Sequence, residues 1–218
     1  MTRELYNKAL SALQQELLLM GSMVEEAIHF AVDSLAKQDL TLAEMIIAGD
    51  DQIDQLSLKL EEDCVRLIAL QQPIAKDLRV ITTVLKTVTD LERIADHATN
   101  IAEITLRIAK EPLIKPLQII PKMAELAQSM VQESLKAFVN RDVEGAKENC
   151  RRDDQVDRLY EDILNEISNL MATGDTPGRM IQAMNLLFAA RYLERVADHA
   201  TNIGERVIYL VTGKNEKY

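Results

Sequence analysis

The sequence predicts an all-α protein of two tandem, pseudo-symmetric three-helix bundles, with six long antiparallel helices in total. The composition is helical, because 47% of the residues are apolar while only 4% are aromatic and tryptophan is absent. The chain repeats itself once. In addition, none of its five prolines interrupts a segment with helical periodicity. These three observations favour a duplicated helical bundle over any sheet-containing fold.

The duplication is most visible in one decapeptide. The stretch "ERIADHATNI" returns 102 residues later as "ERVADHATNI", with a single difference. Upstream of it, residues 36–56 align with residues 139–159 at an offset of 103 and keep several aspartates in place. We therefore expect a first three-helix repeat at 1–111 and a second at 119–218, each about the size of a small domain.

Prolines and caps divide each repeat into three helices. Pro73 and Pro177 mark the second turn of the first and second repeat, and the proline-rich segment "KEPLIKPLQIIPKM" separates the repeats. Asp39 and Asp142 are the predicted N-caps, and Gly213 follows the last helix. The predicted helices span 3–37, 40–71, 75–110, 119–140, 143–172 and 177–212.

Charge and cysteine usage exclude several classes of protein. With 35 acidic and 25 basic side chains the net charge is −10, and we find no basic patch for nucleic acid or anionic lipid. Cys64 and Cys150 lack metal-binding spacing, so we interpret them as reduced core thiols. The N-terminus does not resemble a signal peptide, and no apolar run is long enough to span a membrane. We expect a cytoplasmic protein.

Pairs of carboxylates recur four residues apart on helices in both repeats. A hairpin turn near residue 73 would place Asp54 opposite Glu92 and Asp50 opposite Asp96. In the second repeat, a turn centred between Asp175 and Thr176 would create the same arrangement. The eight predicted metal-ligating residues are Asp50, Asp54, Glu92, Asp96, Asp153, Asp157, Glu194 and Asp198.

Clustered like charges need compensation, because each pair at this spacing destabilises a helix by a few tenths of a kcal/mol. Protonation or the neighbouring Arg93 and Arg195 would supply part of it. Hard oxygen ligands, however, are what Mg²⁺, Ca²⁺, Mn²⁺ or iron accept, with zinc as a further possibility. The hypothesis is one cation or small cation cluster in each repeat. The alternative is an acidic stripe that is solvated or paired with Lys and Arg.

Other polar residues lie near the same stripes. The possible additional metal ligands are Asn100, Asn202, Glu103 and Glu205. His97 and His199 follow the acids directly, and we favour hydrogen bonding at a helix interface over metal binding for both.

The segments "DLERIADHATNIAE" and "YLERVADHATNIGE", with "GDDQID" and "RDDQVD" upstream, resemble the PhoU family of phosphate-transport accessory regulators. The resemblance covers essentially all 218 residues. It implies two three-helix bundles whose E/D-xxx-D motifs bind metal clusters, and these motifs fall on the same eight carboxylates. One departure is that a glycine often found before the motif aspartate is Ala95 in one repeat and Ala197 in the other.

The resemblance also implies a function. Such proteins are negative regulators of the phosphate-starvation response that link the phosphate ABC transporter, through its ATPase subunit, to a sensor histidine kinase, and many self-associate. We therefore expect a non-catalytic adaptor, as a homodimer. The alternatives are a carboxylate-bridged metalloenzyme or metal store and a metal-free structural adaptor. A ferritin-like di-iron site needs Glu-x-x-His, but Glu92 and His97 are five residues apart.

Overall fold

The computed structural model describes residues 3–172 and 176–218, and in these ranges it contains helices and no strand. The all-α prediction is confirmed. The helices are α1 (Arg3–Lys37), α2 (Leu40–Gln71), α3 (Ala75–Ile108), α4 (Ile119–Asn140), α5 (Val143–Cys150), α6 (Asp153–Ala172) and α7 (Pro177–Thr212).

The predicted caps hold the ends of these helices. Asp39 accepts a hydrogen bond from Leu42 N at 3.0 Å, and Asp142 accepts one from Gly145 N at 2.9 Å. Gly213 ends α7 in the left-handed conformation, with φ of 73°. The prediction for the third helix was two residues too long. Part of the predicted turn around Asp175, residues 173–175, lies outside the described residues.

The predicted fifth helix, 143–172, is wrong in one respect: it is broken into α5 and α6. The buried Asn149 side chain donates to Met130 O at 2.7 Å and to Ser134 Oγ at 2.8 Å on α4. Directly after it the backbone tightens, with Arg152 N donating to Asn149 O at 3.0 Å. Because Asn149 is tied to α4, the chain turns here, and Asp153 begins a new helix.

The helices pack as two bundles that share one core. Helices α1 to α3 contact one another, as do α4 to α7, and the two groups meet along α3 with α7 and α1 with α4. Buried aliphatic side chains continue through both groups. Among the described residues, no helix combines the length and apolar character needed to cross a membrane.

One helix contact requires glycine. A Cβ built on Gly204 of α7 would lie 2.6 Å from Cys150 Sγ of α5, and the thiol itself donates to Thr201 O at 3.6 Å. Both Cys150 and Cys64 are free and buried, as predicted. Burial raises the pKa of each thiol to about 12, so both behave as small core side chains.

We expect Gly204→Ala to destabilise the protein by about 1–2 kcal/mol, because overpacking against Cys150 outweighs the roughly 1 kcal/mol gain in helix propensity. The free energy of unfolding in urea measures it. Adding Cys150→Ala should recover most of the loss.

Gly49→Ala is the matched control, since a Cβ at Gly49 meets nothing within 4 Å. This variant should be stabilised by about 0.5–1 kcal/mol. Equal effects at the two glycines would contradict the close packing at Gly204.

Candidate metal centres

The first four predicted ligands meet across the α2–α3 hairpin, and we call Asp50, Asp54, Glu92 and Asp96 the first cluster. Burial raises the pKa of Asp50, and the charges of Asp54 and Asp96 raise it further. Burial also raises the pKa of Glu92; Arg93 opposes this, and Asp96 and Asp54 add to it. Both predicted cross-helix pairs are thus close enough to repel each other.

The second cluster, Asp153, Asp157, Glu194 and Asp198, repeats the arrangement across α6 and α7. Burial, with the charges of Asp157, Asp198 and Glu194, raises the pKa of Asp153 to about 7. Burial and the Asp198 charge also raise the pKa values of Asp157 and Glu194. The structure therefore brings together all eight carboxylates in the two predicted groups.

Arginines hold several of these carboxylates. Arg93 donates to Asp96 at 2.8 Å, and Arg195 donates to Asp198 at 3.0 Å, which are equivalent contacts in the two repeats. Arg191 pairs with Glu194. With the side chains so placed, no three His, Cys, Asp or Glu residues in the described ranges converge closely enough to hold a metal ion. The predicted clusters exist, but their oxygens point partly at arginines.

Two of these ion pairs, Arg93–Asp96 and Arg195–Asp198, are weak obstacles to a cation. The Arg93 and Arg195 side chains are about half exposed, at 55% and 50%. Exposed pairs of this kind contribute roughly 0.2–1 kcal/mol each. A multivalent cation, which interacts with several carboxylates at once, can therefore displace them by side-chain rotation alone.

The second cluster has donor atoms that fit a hard cation. Within the described part of the chain, Asp153 Oδ1 and Glu194 Oε2 are buried without a hydrogen-bond partner. Buried carboxylate oxygens without partners are costly. A cavity of about 410 Å³ opens beside Asp153, which lines it together with Asp198 and Asn202 among others. A cation bound in this cavity would be able to satisfy the Asp153 oxygen.

The four additional candidates differ in their surroundings. Glu103 pairs with Arg107 at 2.6 Å, and Glu205 accepts from Tyr218 N at 2.8 Å, so both have other contacts. Asn100 donates to the Asp96 carbonyl oxygen at 2.7 Å. Asn202 and Glu205 line the same cavity as Asp153 and Asp198.

The two histidines lie at the interface between α3 and α7. His199 Nδ1 is 3.0 Å from Asp90 Oδ1, which is the interface hydrogen bond favoured by the sequence. His97 instead stacks on Tyr192, with ring centroids 5.6 Å apart. Burial and the neighbouring His199 lower the pKa of His97 to about 4, so its imidazole is neutral at physiological pH.

Asp90 is the buried acid of this interface and was not among the residues predicted from the sequence. Asp90 is 4% exposed, and Arg206 Nη1 lies 2.6 Å from its Oδ2. A signal was available, because Asp90 precedes His97 by seven residues and so shares its helix face. The equivalent position in the second repeat is Tyr192. The ionic contact and the aromatic stack are neighbours on this face, because the His97 and His199 ring centroids lie 5.6 Å apart.

Comparison with known proteins gives consistent matches. The PhoU domain model matches residues 17–105 and 120–207. A phosphate-specific transport system accessory protein PhoU homolog from Clostridium acetobutylicum is 45% identical over 98% of this chain and 97% of its own length. The crystal structure of PhoU from Pseudomonas aeruginosa matches with a TM-score of 0.91 at 38% identity, over 96% of this chain and all of that one. The crystal structure of PhoU from Streptococcus pneumoniae also matches with a TM-score of 0.91, at 31% identity, over 98% of this chain and all of that one.

We expect the second cluster to make stability depend on pH. Because the folded state raises the pKa of Asp153 from 3.8 to about 7, it binds a proton more tightly than the unfolded state does. Ionisation of Asp153 therefore lowers the free energy of unfolding progressively as pH rises from about 4 to about 7. Above pH 7 the full destabilisation is present. In a chelator at pH 8, Asp153→Asn should raise Tm by about 2–4 °C, or roughly 1 kcal/mol after solvent screening.

The gain from Asp153→Asn should shrink as pH falls from 8 to 5. Asp154→Asn serves as the control, because it removes one charge from an exposed neighbour on the same helix. A pH-independent gain, or the same gain in both variants, would refute a raised pKa at Asp153.

Proposed function

This chain belongs to the PhoU family, and from that premise we propose that it is a non-catalytic regulatory adaptor of phosphate uptake. In this role it links the phosphate ABC transporter, through the ATPase subunit, to a sensor histidine kinase. It acts on the cytoplasmic side, as a homodimer, and represses the phosphate-starvation response when phosphate is plentiful. The observation that carries the proposal is near-complete coverage of relatives named as accessory proteins of phosphate transport.

The environments of the reactive side chains support an adaptor. Burial raises the pKa of Cys64 and Cys150 to about 12, which makes both thiols poor nucleophiles. His97 and His199 are engaged at the interface of α3 and α7. Long helices with charged outer faces offer surfaces for protein partners instead.

The proposal includes metal binding by each cluster. The ligands would be the eight carboxylates, and the cation would be divalent or of the iron type: Mg, Mn, Fe, Zn or Ca. The support is the mutual repulsion of the acids and the unpartnered oxygens of Asp153 and Glu194. When bound, the cation would neutralise this repulsion and tie α2 to α3 and α6 to α7.

We expect both clusters to bind Mn²⁺ independently. The protein is treated with chelator, dialysed against Mn²⁺ at pH 8 and subjected to elemental analysis. The double variant Glu92→Ala with Asp96→Ala should lack the Mn²⁺ that the first cluster binds in the native chain. The double variant Glu194→Ala with Asp198→Ala should lack the Mn²⁺ that the second cluster binds. Binding at the second cluster should weaken as pH falls below 7, because protons compete for Asp153.

The control is Glu144→Ala with Glu148→Ala. These exposed acids have the same four-residue spacing on α5, and each pairs with a basic neighbour, Lys147 or Arg151. This variant should keep the full metal content. Equal metal content in all three double variants would contradict the proposed ligands.

The adaptor role predicts a regulatory phenotype. Deleting the gene should raise a phosphate-starvation reporter severalfold in phosphate-rich medium, and the intact gene should restore repression. Purified protein should retain the transporter ATPase subunit and the kinase in a pull-down, with and without Mn²⁺. Normal repression in the deletion strain would contradict the proposal. If the double variants that lack cluster acids still repress the reporter, a metal-free adaptor would be favoured.

A further inference from the structure

A groove runs between α1 and α2 on the outside of the first bundle. It has a volume of about 520 Å³, and its apolar lining includes Met23, Phe30, Met45 and Ile46. Phe30 is 41% exposed and Met45 is 65% exposed. A concave surface that combines methionines with an exposed aromatic ring suits apolar side chains of a partner, because methionine adapts its shape to what it contacts.

The equivalent position in the second repeat shows that the groove is not a general feature of the bundle. At the offset of 103, Glu148 replaces Met45, Asn149 replaces Ile46 and Arg152 replaces Gly49. There Arg152 donates to Ser129 Oγ on α4 at 3.1 Å, and Asn149 donates to Met130 O at 2.7 Å. Polar side chains join the helices in the second bundle, whereas the first bundle has an open apolar groove.

The charge around the groove is one-sided. Residues 23–30 and 42–53, which include its lining on α1 and α2, contain five Asp or Glu and no Lys or Arg. The equivalent residues 126–133 and 145–156 contain three Lys or Arg among their acids. Glu26 and Asp50 themselves line the groove. An apolar floor with acidic walls is complementary to a helix with one apolar and one basic face.

We propose that the α1–α2 groove binds a basic amphipathic helix of a partner protein. The apolar face of that helix packs on Met23, Phe30 and Met45, and its lysines or arginines contact Glu26 and Asp50. The inference deepens the adaptor role and rests on it for the biological partner, but the groove itself can be tested without one.

The probe is a fluorescent leucine–lysine peptide of about five helical turns, with leucines on one face. An otherwise identical leucine–glutamate peptide controls for charge. Met45→Glu with Gly49→Arg introduces the residues of the second repeat at these two positions and leaves the net charge unchanged. Both positions project from α2 without close contacts, since Met45 is largely exposed and a Cβ at Gly49 meets nothing within 4 Å, so we expect the variant to keep the fold.

Leu164→Glu with Ser168→Arg is the matched control, because it makes the same exchange at the same spacing on exposed positions of α6. The basic peptide should bind the native chain and this control equally, and bind the groove variant about tenfold more weakly. Methyl NMR of the nine methionines should show peptide-induced shifts at Met23 and Met45. Circular dichroism should show all three proteins equally helical.

Several results would overturn the proposal. These are equal binding of the basic peptide to all three proteins, binding of the acidic peptide to the groove, or methyl shifts confined to the second bundle. Loss of a homodimer in the groove variant would show that a second copy of this chain occupies the groove instead. If the variant loses the peptide but still represses the phosphate-starvation reporter, the adaptor role stands and its partners bind elsewhere.

Discussion

Antiparallel packing of neighbouring helices is the constraint on which the two acidic clusters depend. Once α2 folds back on α3, residues equidistant from the turn must face each other, so Asp50 meets Asp96 and Asp54 meets Glu92 whatever their charge. The fold tolerates this in three ways. Arginines pair with some of the acids, solvent screens others, and a proton stays on Asp153 up to a pH of about 7. The apolar core on the opposite side of the same helices outweighs the repulsion that remains.

The pseudo-symmetric packing of α3 on α7 joins the bundles, but the contacts on the two sides of its centre differ. On one side Asp90 contacts His199 and Arg206, and on the other His97 stacks on Tyr192, while the His97 and His199 ring centroids lie 5.6 Å apart between them. A buried ion pair costs desolvation that its own attraction only partly returns. Rotation of α7 on α3 would separate Asp90 from His199 and Arg206, so the contact disfavours other registers between the bundles.

Most of the fold was predictable from the sequence, because helix ends have local chemical signals. Asp39, Asp142 and Gly213 capped their helices as predicted. The break after Cys150 was not predictable, since it depends on Asn149 reaching α4, a contact between distant parts of the chain. The grouping of the eight acids followed from spacing and turn position. The arginine contacts and the role of Asp90 did not follow, because helical periodicity assigns a face without giving the partner of each side chain.

The two repeats have kept their acids and changed the surfaces beside them, which gives the two clusters different neighbours. Asp50 belongs to the first cluster and also lines the α1–α2 groove. Beside Asp153, at the equivalent place in the second repeat, Arg152 instead donates a hydrogen bond to Ser129 on α4. A docked lysine or arginine and a bound cation would neutralise the same Asp50 carboxylate. By linkage, each would then weaken the binding of the other by the same factor. The second cluster would lack this competition, because the basic residue beside it, Arg152, belongs to the chain itself and already donates to Ser129. A duplication that began with two equivalent sites would in this way yield one site coupled to a protein partner and one that is not.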